Sequence, residues 1–325
     1  MRSTVEIQPY LEAAQPAVEA PWSRPVTPRH VEELLADKGP ASAKRRSDLK
    51  SDSRFSAAVR RTAGKLVALH QGNRMLNRII NDRGRYFVAL FVLDLHFRRS
   101  DEGVGLTSGR LKDICVEQGI CSPTRAGALL TLMKLGGYVE PASGLGDRRR
   151  RELIPTEKLF AHQRKRWRCH FSEAATLLAE AARAHEMLDR PELMHGLVRF
   201  ISAHYCSGFR FTDHAPALGL FSERNGGLFV LLSMLAAAGA EELERQSPIP
   251  ISISGLARSI SASRAHVIKL LKDAEGEGLV RRTNLGSIIL MPPLVHDVHE
   301  FFALNYLLLT HFAKITLDHV EFGAP

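Results

Sequence analysis

The sequence predicts a mainly α-helical fold with small β-hairpins, in which one unit of helices and hairpin occurs twice. Apolar residues recur at three- and four-residue spacing through most of the chain after residue 53, as helices with one buried face require. Two stretches repeat at almost one offset. In residues 143–158, four consecutive arginines, Arg148 to Arg151, stand between a glycine turn and the β-prone pair Leu153-Ile154.

Taken in order, residues 1–52 are rich in Pro, Ala, Ser and charge and lack sustained apolar periodicity, so they read as a mostly disordered tail with room for a short helix around Arg29 to Asp37. From Ser53 a helical pattern runs through Val59, Ala63 and Leu66 to Ile79 and Ile80. A break over Asn81 to Arg85 precedes an apolar helix, Tyr86 to Phe97. Ser108 to Glu117 reads as a helix with Leu111 and Ile114 inward, Gly119 as a turn, and Ser122 to Leu135 as a second helix. Farther on, Phe160 to Leu188, Pro191 to Tyr205 and Pro293 to Asp318 read as long packing helices.

The repeat supports two units. Gly84 to Leu93 lies against Gly226 to Leu235 with five identities in ten at an offset of 142. Ser122 to Val139 lies against Ser263 to Val280 at an offset of 141, sharing Ser122/Ser263, Leu129/Leu270, Leu130/Leu271, Gly137/Gly278 and Val139/Val280. Each copy reads helix, loop, helix, turn, helix, strand. Ser122 and Ser263 stand where an N-cap belongs, because a serine oxygen accepts from the orphan amides of a first helical turn. Gly137 and Gly278 fit the helix stop. The expected organisation is a tail over 1–52, a first unit with flanking helices over 53–190, and a second unit with its C-terminal helix over 191–325.

Net charge is +9, with an uneven distribution: residues 1–52 balance, 53–170 carry an excess of 13 positive charges, and 171–325 an excess of 4 negative ones. Such asymmetry points to a polyanionic partner for the basic segment. The four cysteines show no paired spacing, which excludes a disulfide scaffold and fits reduced thiols. Cys169-His170 with His204 and Cys206 lack zinc spacing, and the pair His296/His299 lacks further ligands, so no metal and no cofactor are expected. The longest apolar stretches fall short of a bilayer span, and the N-terminus has no apolar leader, so a cytoplasmic protein without a membrane partner is expected. No Walker loop, Gly-x-Ser-x-Gly, His-Glu-x-x-His or dinucleotide fingerprint is present, so the expectation is not an enzyme.

A helix running through Gly136-Gly137 into a basic hairpin is the order of a winged helix, with one element for the major groove and a cationic strand pair for neighbouring phosphates. On the first recognition helix Ala126, Leu129, Leu130 and Met133 form the inward stripe, leaving Thr124, Arg125, Ala128 and Thr131 outward. Arg125 is the base-reading candidate, since its fork matches guanine O6 and N7. On the second, Val267, Leu270, Leu271 and Ala274 point inward and Arg264, His266, Lys269 and Lys272 outward. The DNA-contacting set is therefore Ser122, Thr124, Arg125, Arg148, Arg149, Arg150 and Arg151 in the first copy, and Ser263, Arg264, His266, Lys269, Arg281 and Arg282 in the second. The basic run Arg164-Lys165-Arg166-Trp167-Arg168 reads equally as a phosphate contact, a solvated face or an interdomain contact.

Asp147-Arg148-Arg149, with Gly137-Tyr138-Val139 before it and Thr156-Glu157-Lys158 after it, resembles the wing of the MarR family of bacterial winged-helix regulators. The resemblance covers about 75 residues of the first copy and, in the second, the helix-turn-helix alone. It implies that Asp147 orients the wing, that Arg149 enters the minor groove, and that a small-molecule effector sits in a cleft between the helical layer and the first unit. Pro155 departs from that pattern, as does a tandem arrangement where family members pair as homodimers. The partners expected are double-stranded DNA, the effector, and either the other half of the same chain as a pseudo-dimer or a second copy. The function expected is sequence-specific transcriptional regulation. The alternatives are a plasmid-type replication initiator with tandem winged helices, or a winged-helix scaffold for protein interactions. Cys115 and Cys121 flank the turn before the first recognition helix, where oxidation would alter DNA binding.

Overall fold

The computed structural model describes residues 20–142, 152–239, 246–260, 262–284 and 286–322. It is mainly helical, with two small antiparallel sheets. The first half contains α1 (Pro28–Leu35), α2 (Ala43–Ser51), α3 (Phe55–His70), α4 (Arg74–Ile79), α5 (Arg83–Phe97), α6 (Arg99–Glu102), α7 (Ser108–Glu117), α8 (Pro123–Leu135), β1 (Val139–Pro141), β2 (Leu153–Pro155), α9 (Glu157–Ala174) and α10 (Ala179–Glu186). The second contains α11 (Pro191–Cys206), α12 (Gly219–Glu223), α13 (Gly227–Ala237), β3 (Ile249–Pro250), α14 (Ile253–Ser259), α15 (Arg264–Gly276), β4 (Val280–Arg282), β5 (Ser287–Leu290) and α16 (Pro292–Phe322).

The repeat is visible in this order. Leu106 forms a single bridge to Leu153 of β2, and β1 pairs antiparallel with β2 from Val139 opposite Pro155. In the second half β3 pairs with β5 from Ile249 opposite Ile288, and β4 pairs with β5 from Val280 opposite Leu290. Between these strands lie α7 and α8 in one half and α14 and α15 in the other. Both α8 and α15 have thirteen residues and stop before a glycine with positive φ, Gly137 at 69° and Gly278 at 71°. An L side chain rarely adopts that conformation, which explains why glycine stands at both stops.

One apolar core runs through both halves. α3 packs on α13 and on α9; α5 packs on α11; and α16, the longest helix, lies against α2, α10 and α11. The division expected at residue 190 therefore does not separate two cores, since the buried residues on either side form one cluster. α11 and α16 approach so closely that a Cβ at Gly196 would collide with the Thr316 side chain. Polar ties reinforce the layers: fully buried Asp94 on α5 accepts from Arg98 at 2.8 Å and from Arg199 of α11 at 3.1 Å. Glu173 on α9 holds Arg61 and Lys65 of α3 at 2.6 and 2.5 Å. Removing one member of such a buried set leaves a charge uncompensated, which is costly.

Two expectations are corrected. From residue 20 onward the supposed tail is packed structure: Trp22, Leu34, Ala41 and Leu49 are buried, and Lys50 of α2 binds Glu300 of α16 at 2.5 Å. Composition misleads here because a few apolar anchors suffice when a large neighbouring core receives them. Phe160 to Leu188 is not one helix but α9 and α10, separated at Ala175 to Leu178. The Thr176 hydroxyl donates to Glu173 O at 2.7 Å, a local bond that competes with helix continuation.

Candidate nucleic-acid interface

The two candidate recognition helices begin in the same way. Ser122 caps α8 and its Oγ accepts from Arg125 N at 3.3 Å; Ser263 caps α15 and accepts from His266 N at 3.1 Å. Each bond satisfies an amide that the first helical turn cannot pair internally. The inward stripes fall where the periodicity places them, with Ala126, Leu129, Leu130 and Met133 buried on α8 and Val267, Leu270, Leu271 and Ala274 buried on α15. Thr124, Arg125, Ala128 and Thr131 are exposed, as are Arg264, Lys269 and Lys272. His266 is a correction to the outward set: it is half-buried, and its Nε2 donates to Asn225 O at 2.8 Å.

Arg125 is also held. Its Nη2 lies 3.4 Å from Asp82 Oδ2, although half of the side chain remains exposed. Asp82 is the N-cap of α5, accepting from Arg85 N at 2.8 Å and pairing with Arg85 Nε at 3.2 Å. Arg125 and His266 occupy the same position, three residues after the capping serine. Each reaches the segment that opens the first helix of its own copy of the repeat, Asp82 before α5 and Asn225 before α13. Those segments touch: Asn81 Nδ2 donates to Asn225 Oδ1, and Gly226 N donates to Asn81 O at 3.0 Å. The starts of α8 and α15 are thus tied to one node where the halves meet.

The hairpins differ. At the base of the first, Thr156 Oγ1 donates to Gly137 O at 2.7 Å, Lys158 Nζ donates to Gly136 O at 2.7 Å, and Ala142 N donates to Glu152 O at 3.1 Å. Arg148, Arg149, Arg150 and Arg151, with Asp147, lie outside the described residues. In the second hairpin Thr283 N donates to Ser287 O at 2.9 Å, closing a tight turn. Arg281 is exposed there, whereas Arg282 binds Glu275 of α15 through its backbone N at 2.8 Å and its Nη2 at 2.6 Å. The Arg282 backbone and side-chain bonds hold the Glu275 carboxyl below the usual carboxylate range.

The basic run on α9 faces several ways. Trp167 is buried, Arg166 stacks over the Tyr86 ring at 4.6 Å, Arg168 pairs with Asp189 at 2.8 Å, and Arg164 pairs with Glu157. Cys115 is buried and Cys121 half-buried beside the turn between α7 and α8, and burial pushes the Cys115 thiol up to about 12, far from a reactive thiolate. Among the described residues no three His, Cys, Asp or Glu side chains gather as a metal ion would need, and no helix is long and apolar enough to cross a membrane.

Sequence reasoning missed Asp82 and Asn225, the partners of the two helix starts. The N-cap position of Asp82, three residues before Arg85 at the start of an apolar helix, was the signal available for the first; nothing local marked the second. Against family profiles, curated proteins and solved structures the chain finds no match, so the geometry of this surface carries the functional reading.

Proposed function

We propose that this chain is a sequence-specific double-stranded DNA-binding transcriptional regulator built from two winged helix-turn-helix units, with α8 and α15 as recognition helices. The observation that carries this reading is the matched pair of thirteen-residue helices, each serine-capped and each followed by an antiparallel strand pair, whose polar and cationic outer faces are left exposed. Thr124 and Arg125 on α8, and Arg264 and Lys269 on α15, supply donors suited to base edges and phosphates. Arg281 adds a cation on the second hairpin, and Arg148 to Arg151 add four on the first.

The test is to incubate the purified full chain with fragmented genomic DNA, sequence what it retains, and titrate a retained fragment by fluorescence anisotropy at several salt concentrations. The expected result is a discrete set of fragments whose affinity falls steeply with salt, as counterion release by Lys and Arg demands. Weak binding that ignores both sequence and salt would overturn the reading and leave a winged-helix protein scaffold in its place.

A further inference from the structure

A cleft of about 360 Å³ opens where the loop between α1 and α2, the start of α10 and the middle of α16 meet. None of its wall belongs to α8, α15 or their hairpins. Its volume lies in the range of small-molecule sites, about 300–1,000 Å³. Lys38, Arg45 and Lys314 bring three cations to it, against one carboxylate, that of Glu180. Lys314 is committed to Asp318 at 2.5 Å. Lys38 and Arg45 make no ion pair within 4.0 Å among the described residues, so two positive charges border the cleft without a counterion.

Two helices begin at this cleft. Arg45 stands in the first turn of α2, which also holds Lys44 and has no acidic residue. Positive charge there opposes the helix dipole, whose N-terminal end favours an anion. α10 starts at Leu178, a cap residue whose side chain has no acceptor for the first amides. On the facing wall Thr310 is 7% exposed, and its buried Oγ1 has no hydrogen-bond partner. Burial, then the neighbouring His204, Arg45 and Lys314, hold the His311 imidazole down to about 4. That ring is therefore neutral at physiological pH and donates from one nitrogen.

Lys38, Arg45, Thr310 and His311 thus supply four donor groups to one cleft. A carboxylate offers them two oxygens, whereas a phosphate monoester offers three and carries close to two negative charges. We propose that this cleft is a binding site for a small phosphate monoester, its phosphate held by Lys38, Arg45, Thr310 and His311 at the starts of α2 and α10, and its carbon skeleton against Pro40, Leu178, Leu307 and Ile315. The inference rests on no DNA contact, and its test uses no DNA.

Phenyl phosphate and phenyl sulfate are titrated into the full chain at about pH 8, where the phosphate is doubly and the sulfate singly charged, and the heat of binding is read. The expected result is saturable binding of phenyl phosphate at one site, with phenyl sulfate at least tenfold weaker. Lys38→Gln with Arg45→Gln, both exposed positions, should weaken phenyl phosphate about tenfold or more, as loss of charged hydrogen bonds does. Thr310→Val should weaken it about threefold or more, for the same reason on a smaller scale; should that variant misfold by circular dichroism, the double variant decides alone. Absence of saturation, equal affinity for phosphate and sulfate, or full affinity in either folded variant would overturn the proposal.

Discussion

In the first half the residue three places after the capping serine is Arg125, held by the carboxylate of Asp82; in the second it is His266, held by the backbone carbonyl of Asn225. The first half places four consecutive arginines between its strands. The second closes its hairpin within a few residues and moves cations onto the helix itself, at Arg264, Lys269 and Lys272. Yet the caps, the buried stripes and the glycine stops coincide at a single offset of 141. Positions that build the backbone and the core are shared between the halves; positions that face outward have diverged. Side chains that only maintain the fold answer to packing, which is the same in both copies, whereas outward side chains answer to whatever each copy touches.

Acid should have the largest effect and tests whether the halves share a core at all. Burial holds His70, His162, His170 and His195 down to about 3, and His96, His299 and His311 down to about 4. Unfolded, each titrates near 6.5. Between the two values the unfolded chain binds more protons, so stability is complete above about pH 6.5 and is lost progressively as pH falls toward about 3. Urea midpoints followed by circular dichroism should drop between about pH 7 and about pH 5, and hydrogen exchange should show α8 and α15 losing protection together. Release of one half before the other would break the single-core account.

Next in size are Leu130→Ala and Leu271→Ala, equivalent buried positions on α8 and α15. Each should cost about 3 kcal/mol in urea unfolding, and the two should agree within about 1 kcal/mol. A large disagreement would mean that the copies are packed differently despite their common pattern. Smaller again, and resting on the proposed DNA reading, Arg125→Ala should weaken binding about tenfold or more by anisotropy, since a bidentate base contact is worth about 1–3 kcal/mol. His266→Ala should weaken it less, because that ring is already committed to Asn225. Equal losses would erase the distinction between the two helix starts. The smallest effects belong to the caps: Ser122→Ala and Ser263→Ala should each cost about 1 kcal/mol of thermal stability.

Local signals were the legible ones. The Ser108–Glu117 helix is found with the bounds that the sequence suggests, and α8 follows directly on the serine read as its cap, because caps, stripes and glycine stops act within a few residues. The packing of long helices from one half on the other was legible in outline from their apolar stripes. What escaped was assembled from distance. The cavity lined by Phe87, Trp167, Leu232 and Leu309 draws its wall from seven helices, α3, α5, α9, α11, α12, α13 and α16, none of which shows in its own segment that it leaves space. Of the N-terminal helices α1 was legible, close to the short helix expected around Arg29 to Asp37, but α2 was not, for the opposite reason: it has one buried apolar residue, Leu49, and is placed by Arg46 and Lys50 on Glu300, a partner on α16 that no window of sequence could supply. At the candidate interface the exposed cations were readable, but the restraint on Arg125 by Asp82 was not, since it depends on how α8 meets the start of α5.

The long helix Pro292–Phe322 bears on the order of events during synthesis. It lies against α2, α10 and α11, all made well before it, and its buried face, from Leu294 through Leu317, fills the space between them. At the usual pace of about 5–20 residues per second the earlier helices wait several seconds with that face open to solvent. A nascent chain halted before Pro292 would therefore present a broad greasy trough to its surroundings, which makes the interval before this helix emerges the natural moment for chaperone capture or aggregation.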